Sequence, residues 1–197
     1  WQLSDVWPTV SWSTVDHAGR WKLAHHAVQQ ANKPRCVQRK RHLPGDVFTA
    51  FNDTPYPLKG TIVQFTRLNL AGDTLGHLTI QMGLGAFEET DLRLDWDVAE
   101  GTAVTRWNWQ DASGAAIDSG EYLDVRPAQI QWPKARIEHQ IIGSSVLLTT
   151  DSMAYGVRLT MDGAHFMANG FTLFPGEERT IEFKPLNAPP VDLSTLN

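Results

Sequence analysis

Pairs of carboxylates would give this 197-residue chain its most recognisable chemistry. Hydrolysis of a glycosidic bond needs two carboxyl groups that flank the bond, one as the acid and the other as the nucleophile or base. The first 34 residues hold only Asp5 and Asp16, and the first glutamate of the chain is Glu88. The later acidic residues fall on strand and turn patterns, where most carboxylates face solvent. The sequence therefore predicts no catalytic residue within this chain.

Metal, thiol and phosphate sites are not indicated either. Cys36 is the single cysteine, which excludes an internal disulfide and a cysteine-rich zinc site and favours a packing role. On a helix His17, His25 and His26 point in different directions, so they do not form one metal site, and we expect them on the helix surface. No glycine-rich phosphate loop follows a strand pattern. We therefore expect no metal and no cofactor.

The composition is that of an ordinary globular protein. The formal net charge is −5 and hydrophobic residues make up 42%, which gives no basic surface for nucleic acid. No apolar run approaches the ~20 residues that cross a bilayer. We therefore expect neither nucleic acid nor a membrane as a partner, and the cellular compartment stays open.

A single segment has a convincing helical period. Its apolar positions recur at i, i+3, i+4 and i+7 with one aromatic residue a turn earlier, and they are Trp21, Ala24, Ala27, Val28 and Ala31. Asn32 and Pro34 end the pattern. Before it, residues 2–3 and 9–12 have the character of short extended pieces. Residues 1–34 are thus predicted to form a strand, a loop and a helix, a β/α unit without a partner strand.

The rest of the chain is predicted to be mainly β. Short alternating runs separated by turn residues predict one immunoglobulin-like sandwich over 35–127 and a smaller one over 128–187, followed by a loose tail, 188–197. The period of 2 places several large residues on core-facing sides of strands. These are Leu92, Leu94, Trp96, Val98, Trp107 and Trp109, and Trp132 is predicted to join them.

The opening motif, WQLSDVWPTVSWSTVDHAGRWKLAHHA, resembles the stretch that closes the catalytic barrel in glycoside hydrolase family 2, in particular in β-mannosidases. Ser4 replaces the usual Asn and His17 the usual Tyr. Further on, FNDTPYPLKGTIVQFTRLNLAGDTL and FTLFPGEERTIEF resemble the two sandwich domains that follow that barrel. Residues 167–170 depart from the Ser-Asp-Asn-Tyr that is usual in the last domain.

The resemblance implies a C-terminal portion of such an enzyme, consisting of the last barrel strand and helix with two immunoglobulin-like sandwiches. The family's two catalytic glutamates lie on earlier barrel strands, outside this chain. The implied reaction is retaining hydrolysis of terminal β-D-mannose residues. The implied partners are the N-terminal and barrel part of the same protein and a β-mannoside substrate, and the chain alone is expected to be inactive.

Three residues are expected to approach the sugar. Active sites of (β/α)8 barrels lie at the carboxyl ends of the strands, which is where the resemblance places Trp1–Asp5. Trp1 is the expected platform for a pyranose ring, with packing in the barrel core as its alternative. Asp5 and Trp7 are expected to line the pocket or to support it. For Trp12 and Trp21 we expect packing between the helix and the sheet.

Two other functions stay open. The first is another family 2 exo-glycosidase, acting on β-glucosaminides, β-galactosides or β-glucuronides, although the Trp-Pro and Ser-Trp-Ser motifs favour mannose. The second is a non-catalytic carbohydrate-binding or structural sandwich protein. In such a stand-alone protein Trp7, Trp12 and Trp21 would be exposed, which is unfavourable for a monomer.

Overall fold

The computed structural model describes residues 2–40, 46–96 and 103–186. Its described part is mainly β, with antiparallel sheets and one α-helix, which confirms the predicted class. The chain divides into two compact units. One is Gln30–Pro133, and the other joins Trp1–Gln29 to Lys134–Asn197. Trp1, Val98 and the tail 188–197 lie outside the described residues.

The unit Gln30–Pro133 is a sandwich of two antiparallel sheets. Its strands are β1 (Arg35–Arg39), β2 (Asp46–Asn52), β3 (Leu58–Leu68), β4 (Thr74–Leu84), β5 (Glu88–Leu94), β6 (Val104–Gln110) and β7 (Ala116–Leu123). One sheet has the order β1-β2-β5 and the other β4-β3-β6-β7. Alternate residues point inward, and the core between the sheets contains Val37, Phe48, Val63, Phe65, Leu92, Leu94, Trp107 and Trp109.

The period of 2 predicted this core correctly. Leu92, Leu94, Trp107 and Trp109 are buried, and Trp96 packs against them. Cys36 is buried on β1 as a packing residue, and burial raises the pKa of its thiol.

A buried carboxylate ties the start of this unit to its last strand. Asp118 on β7 accepts hydrogen bonds from Gln30 Nε2 at 2.9 Å and Lys33 Nζ at 2.8 Å through one oxygen. Its other oxygen accepts the Val37 backbone N–H at 2.9 Å and Trp107 Nε1–H at 3.1 Å. With four donors around it, the charge is fully compensated inside the protein.

The second unit contains a smaller sandwich. Its strands are β8 (Ile137–Ile142), β9 (Ser145–Thr150), β10 (Ala154–Val157), β11 (Ala164–Phe166), β12 (Phe171–Leu173) and β13 (Arg179–Pro185). The sheets have the orders β11-β13-β9-β8 and β10-β12. Their shared core contains Val146, Leu148, Val157, Phe166, Phe171, Leu173 and Ile181.

The N-terminal segment of the second unit is less regular than predicted. Among residues 2–22 the structure has isolated bridges, Ser4 with Val15 and Val15 with Trp21, instead of the predicted extended strands. A strand needs a hydrogen-bonded neighbour, and here the Leu3 carbonyl accepts the N–H groups of Thr14 and Val15 within the same loop. The predicted helix is confirmed as α1 (Leu23–Ala31).

The core position predicted for Trp132 is wrong. Trp132 is half-buried in the irregular segment between a 3-10 turn, Pro127–Gln129, and β8. Its Nε1–H donates to the Pro127 carbonyl at 3.0 Å. Because this segment is not a strand, the period of 2 does not determine which way its side chains point.

Candidate functional site

Asp5 is the centre of a hydrogen-bond network in the N-terminal loop. Its side chain is buried, with 5% of the residue exposed, and it accepts hydrogen bonds from Ser11 Oγ and, at 2.8 Å, from Lys22 Nζ. Lys22 Nζ also donates to Ser13 Oγ at 2.8 Å. The hydrogen bonds from Lys22 and Ser11 hold the pKa of Asp5 well below its ordinary value. Asp5 is therefore an ionised anchor for the loop.

An apolar surface lies on the same segment. Trp7 is 64% exposed and Trp12 is 83% exposed. Leu3, Val6 and Val10 are exposed as well. Five large apolar residues within ten positions are unusual on the surface of a globular protein. Of the residues expected to approach a sugar, Trp7 is thus open, Asp5 is enclosed, and Trp1 lies outside the described residues.

The apolar stripe of α1 is also uncovered. Its members Ala24, Ala27, Val28 and Ala31 are all exposed, and the residue that α1 buries is His26. His26 lies on the side of the helix opposite to the predicted packing face, and there it contacts the ring of Trp21. Trp12, for which we expected packing, is exposed too, so the surface against which both would pack is absent from the described part of the chain.

Trp21 packs within a cluster of imidazole rings. Its ring centroid lies 4.6 Å from that of His25, 5.5 Å from that of His26 and 4.5 Å from that of His165 on β11. The surface position predicted for His26 is wrong, since His26 is 8% exposed. The imidazole is accommodated because it stays neutral: burial, and then the neighbouring His25 and His165, lower its pKa.

A cavity of about 380 Å³ lies beside this cluster. It is lined by the N-terminal loop, by α1 and by the segment that runs from β10 to Asn169. No sequence pattern predicts this cavity, because its two walls are more than 130 residues apart in the chain. Within the described residues, no group of three or more His, Cys, Asp or Glu is arranged to hold a metal ion. The described helix is too short and too polar to cross a bilayer.

We expect the second unit to lose stability as the pH falls below the ordinary histidine pKa of 6.5. Above that pH His26 is neutral in both the folded and the unfolded chain. Below it, the unfolded chain binds a proton that the folded chain does not, so unfolding becomes easier. The charged or titratable groups around His26 or in the same cavity are Asp16, Arg20, Lys22, His25, Arg158, Asp162 and His165.

The measurement is the unfolding temperature between pH 8 and pH 5. The variant His26→Phe should show a smaller decrease than the unchanged chain. His139→Phe, at an exposed position of β8, is the matched control and should leave the decrease unaltered. Equal slopes for all three proteins would mean that His26 does not titrate differently on unfolding.

The proteins that this chain resembles are β-mannosidases. Residues 125–196 match the model of the Ig-fold domain named Ig_mannosidase. Beta-mannosidase A from Aspergillus niger is 26% identical, over 94% of this chain and 23% of that protein. The same enzyme from Neosartorya fischeri is 26% identical, over 93% of this chain and 22% of that protein. The chain thus spans less than a quarter of the length of these relatives, and it matches their C-terminal accessory region.

Solved structures agree on the fold. The β-D-mannosidase from Dictyoglomus thermophilum superposes with a TM-score of 0.73 at 24% identity, covering 94% of this chain and 24% of that one. An exo-chitosanase from Amycolatopsis orientalis superposes with a TM-score of 0.67 at 16% identity, covering 94% and 28%. Together with the relatives, these matches confirm the resemblance to family 2 glycoside hydrolases of the β-mannosidase type.

Proposed function

We propose that this chain, which carries an Ig-fold domain of the mannosidase type, works as the C-terminal part of a retaining exo-β-mannosidase. Residues 1–34 would supply the last strand and helix of a (β/α)8 barrel. Two immunoglobulin-like sandwiches would follow, over 35–127 and 128–187. The catalytic glutamates would come from polypeptide outside this chain.

The observation that carries this proposal is the uncovered apolar surface of residues 3–31. Trp7, Val10 and Trp12 on the loop and Val28 on the helix are exposed. Helices of a (β/α)8 barrel pack their apolar stripe against the strands that they surround. Seven further strands would cover this surface and would give residues 2–5 a neighbouring strand. A stand-alone binding module offers no reason for the helix to face its apolar side outward.

Sugar contact would come from the beginning of the chain. We propose Trp1 as the stacking platform, with Trp7 at the edge of the pocket. Asp5 would act through the loop: its network with Ser11 and Lys22 holds the segment that carries both indoles. This role for Asp5 is that of a positioning residue, because its carboxylate is enclosed.

The decisive experiment compares the chain alone with the full-length protein in hydrolysis of an aryl β-mannoside. The chain alone should release no aryl alcohol, and the full-length protein should turn the substrate over. The corresponding aryl β-glucosaminide, β-galactoside and β-glucuronide are measured in parallel. Turnover by the chain alone, or a folded full-length protein that prefers another of these sugars, would contradict the proposal.

Substitution of the platform gives a second expected result. In the full-length protein Trp1→Ala should lower kcat/KM on the order of tenfold, because a stacked aromatic contact contributes about 0.5–1.5 kcal/mol beyond its burial. The unfolding temperature should change little. Gln2→Ala is the neighbouring control and should retain activity. If Trp1→Ala lowered the unfolding temperature sharply while activity per folded molecule stayed constant, Trp1 would be a packing residue of the barrel.

A further inference from the structure

The cavity beside Trp21 is polar in its lining and large enough for a small ligand. Its volume of about 380 Å³ lies within the ~300–1,000 Å³ of typical small-molecule sites. The groups that line it come from both walls, and they include Asp16, Arg20, Trp21, Lys22, His26, Arg158, Asp162 and His165. The question is which ligand these groups would bind.

His26 places the strongest constraint on the chemistry of the ligand. It is more than nine-tenths buried and lines the cavity, yet neither of its ring nitrogens has a hydrogen-bond partner within the described residues. Nδ1 of His165, also buried, lacks a partner in the same sense. A neutral imidazole offers one donor and one acceptor. Hydroxyl groups can pair with either ring nitrogen, since each hydroxyl donates one hydrogen bond and accepts two.

The charges of the lining argue for a ligand without net charge. Arg20 is bound to the carboxylate of Asp16, with Nε 2.7 Å from Oδ2. Lys22 is bound to Asp5 outside the cavity. In the described part of the chain Arg158 and Asp162 make no ion pair, and they carry opposite charges. The net charge of the groups that remain to bind a ligand is therefore zero.

A ring that bears several hydroxyls meets these requirements. Planar polar side chains of Arg, Asp and His pair well with neighbouring hydroxyls, and an indole provides an apolar wall for C–H groups. Trp21 is half-buried and lines this cavity, and its ring is held by contacts with three imidazole rings. An anionic ligand would be repelled by the carboxylate of Asp162, and a cationic ligand would be repelled by the guanidinium of Arg158.

We propose that this cavity binds a neutral pyranose unit, with His26, Arg158 and Asp162 as hydrogen-bond partners and Trp21 as the apolar wall. All residues that line the site belong to the unit formed by Trp1–Gln29 and Lys134–Asn197. It does not depend on the proposed hydrolytic activity.

The test is saturation-transfer NMR on the chain as it is, with methyl β-D-mannopyranoside and methyl β-D-glucopyranoside as probes. We expect transfer to the sugar ring protons, and a decrease of at least tenfold in affinity for both Arg158→Ala and His26→Phe. Arg158 is exposed, so its replacement leaves the fold intact even if His26→Phe does not. Arg93→Ala, at an exposed position of β5 in the other unit, should bind as the unchanged chain does.

Several outcomes would overturn this proposal. One is the absence of transfer to either probe. Another is transfer that survives both Arg158→Ala and His26→Phe but is lost in Trp7→Ala, which would move the sugar to the exposed loop. A third is displacement of the sugars by millimolar phosphate, which would indicate an anion site at Arg158. None of these results depends on hydrolysis, so they leave the proposed activity to be decided by its own assay.

Discussion

Replacement of Asp118 by Ala is expected to lower the free energy of unfolding of the Gln30–Pro133 unit by about 2–6 kcal/mol, because two buried donors lose their acceptor. The carboxylate accepts four hydrogen bonds. Its loss leaves the buried Val37 N–H and Trp107 Nε1–H without an acceptor, and each orphaned buried donor costs about 1–3 kcal/mol. The Lys33 ammonium, which is partly exposed, can turn to water.

Urea unfolding of three variants separates these contributions. Lys33→Met removes the ion pair but keeps the hydrogen bonds to Val37 and Trp107, so it should cost about 1 kcal/mol. Asp95→Ala, at an exposed carboxylate, should change the free energy of unfolding by less than about 0.5 kcal/mol. If Lys33→Met lowered the free energy of unfolding as much as Asp118→Ala does, the stabilisation would come from the ion pair alone.

Replacement of Gly120 by Ala is the second large effect. Gly120 lies opposite Trp107 in the pairing of β7 with β6, and a Cβ atom at this position would be 2.2 Å from Trp107 Cζ2. The indole cannot move away freely, because it is buried and its Nε1–H is bonded to Asp118. Overpacking of this kind costs about 1–3 kcal/mol, and more where the neighbour is rigid.

The neighbouring residue provides the control. Ser119→Ala places the same side chain one position earlier on β7, where it is exposed, and should be nearly neutral. In Gly120→Ala we also expect the NMR signal of the Trp107 indole N–H to shift or broaden, because the clash and the hydrogen bond share one ring. An unfolding free energy equal to that of Ser119→Ala would mean that β6 and β7 can separate locally without cost.

The part of the fold that follows from local pattern was predictable. Alternation placed Leu92, Leu94, Trp107 and Trp109 in the core, and the 3.6-residue period located α1. The core position predicted for Trp132 is wrong because the alternation of inward and outward side chains holds only within a strand. The predicted N-terminal strand failed for a different reason. Its sequence has the character of a strand, but a strand needs a neighbouring strand, and within the described residues this segment makes only the isolated bridge from Ser4 to Val15.

The buried polar groups could not be predicted from local sequence patterns. Asp118 collects donors from positions 30, 33, 37 and 107, which no sequence window contains. His26 is buried because of an indole five residues earlier and an imidazole on β11, and its sequence neighbourhood gives no sign of the latter. Asp5 was identified as a functional candidate from its place in a motif, and its network with Ser11 and Lys22 emerged only in three dimensions.

The division of the chain also bears on how it is made. One unit is interrupted after Gln29 and resumed at Lys134, with the whole of the other unit between them. During synthesis on the ribosome, the residues up to Gln29 emerge long before the strands that complete their unit. The inserted sandwich can fold in that interval, before the strand that carries His165, the partner of the Trp21 ring, has been made. During that interval Trp21 and His26 lack the partners that later strands supply, and slower translation of residues 30–133 would prolong the interval.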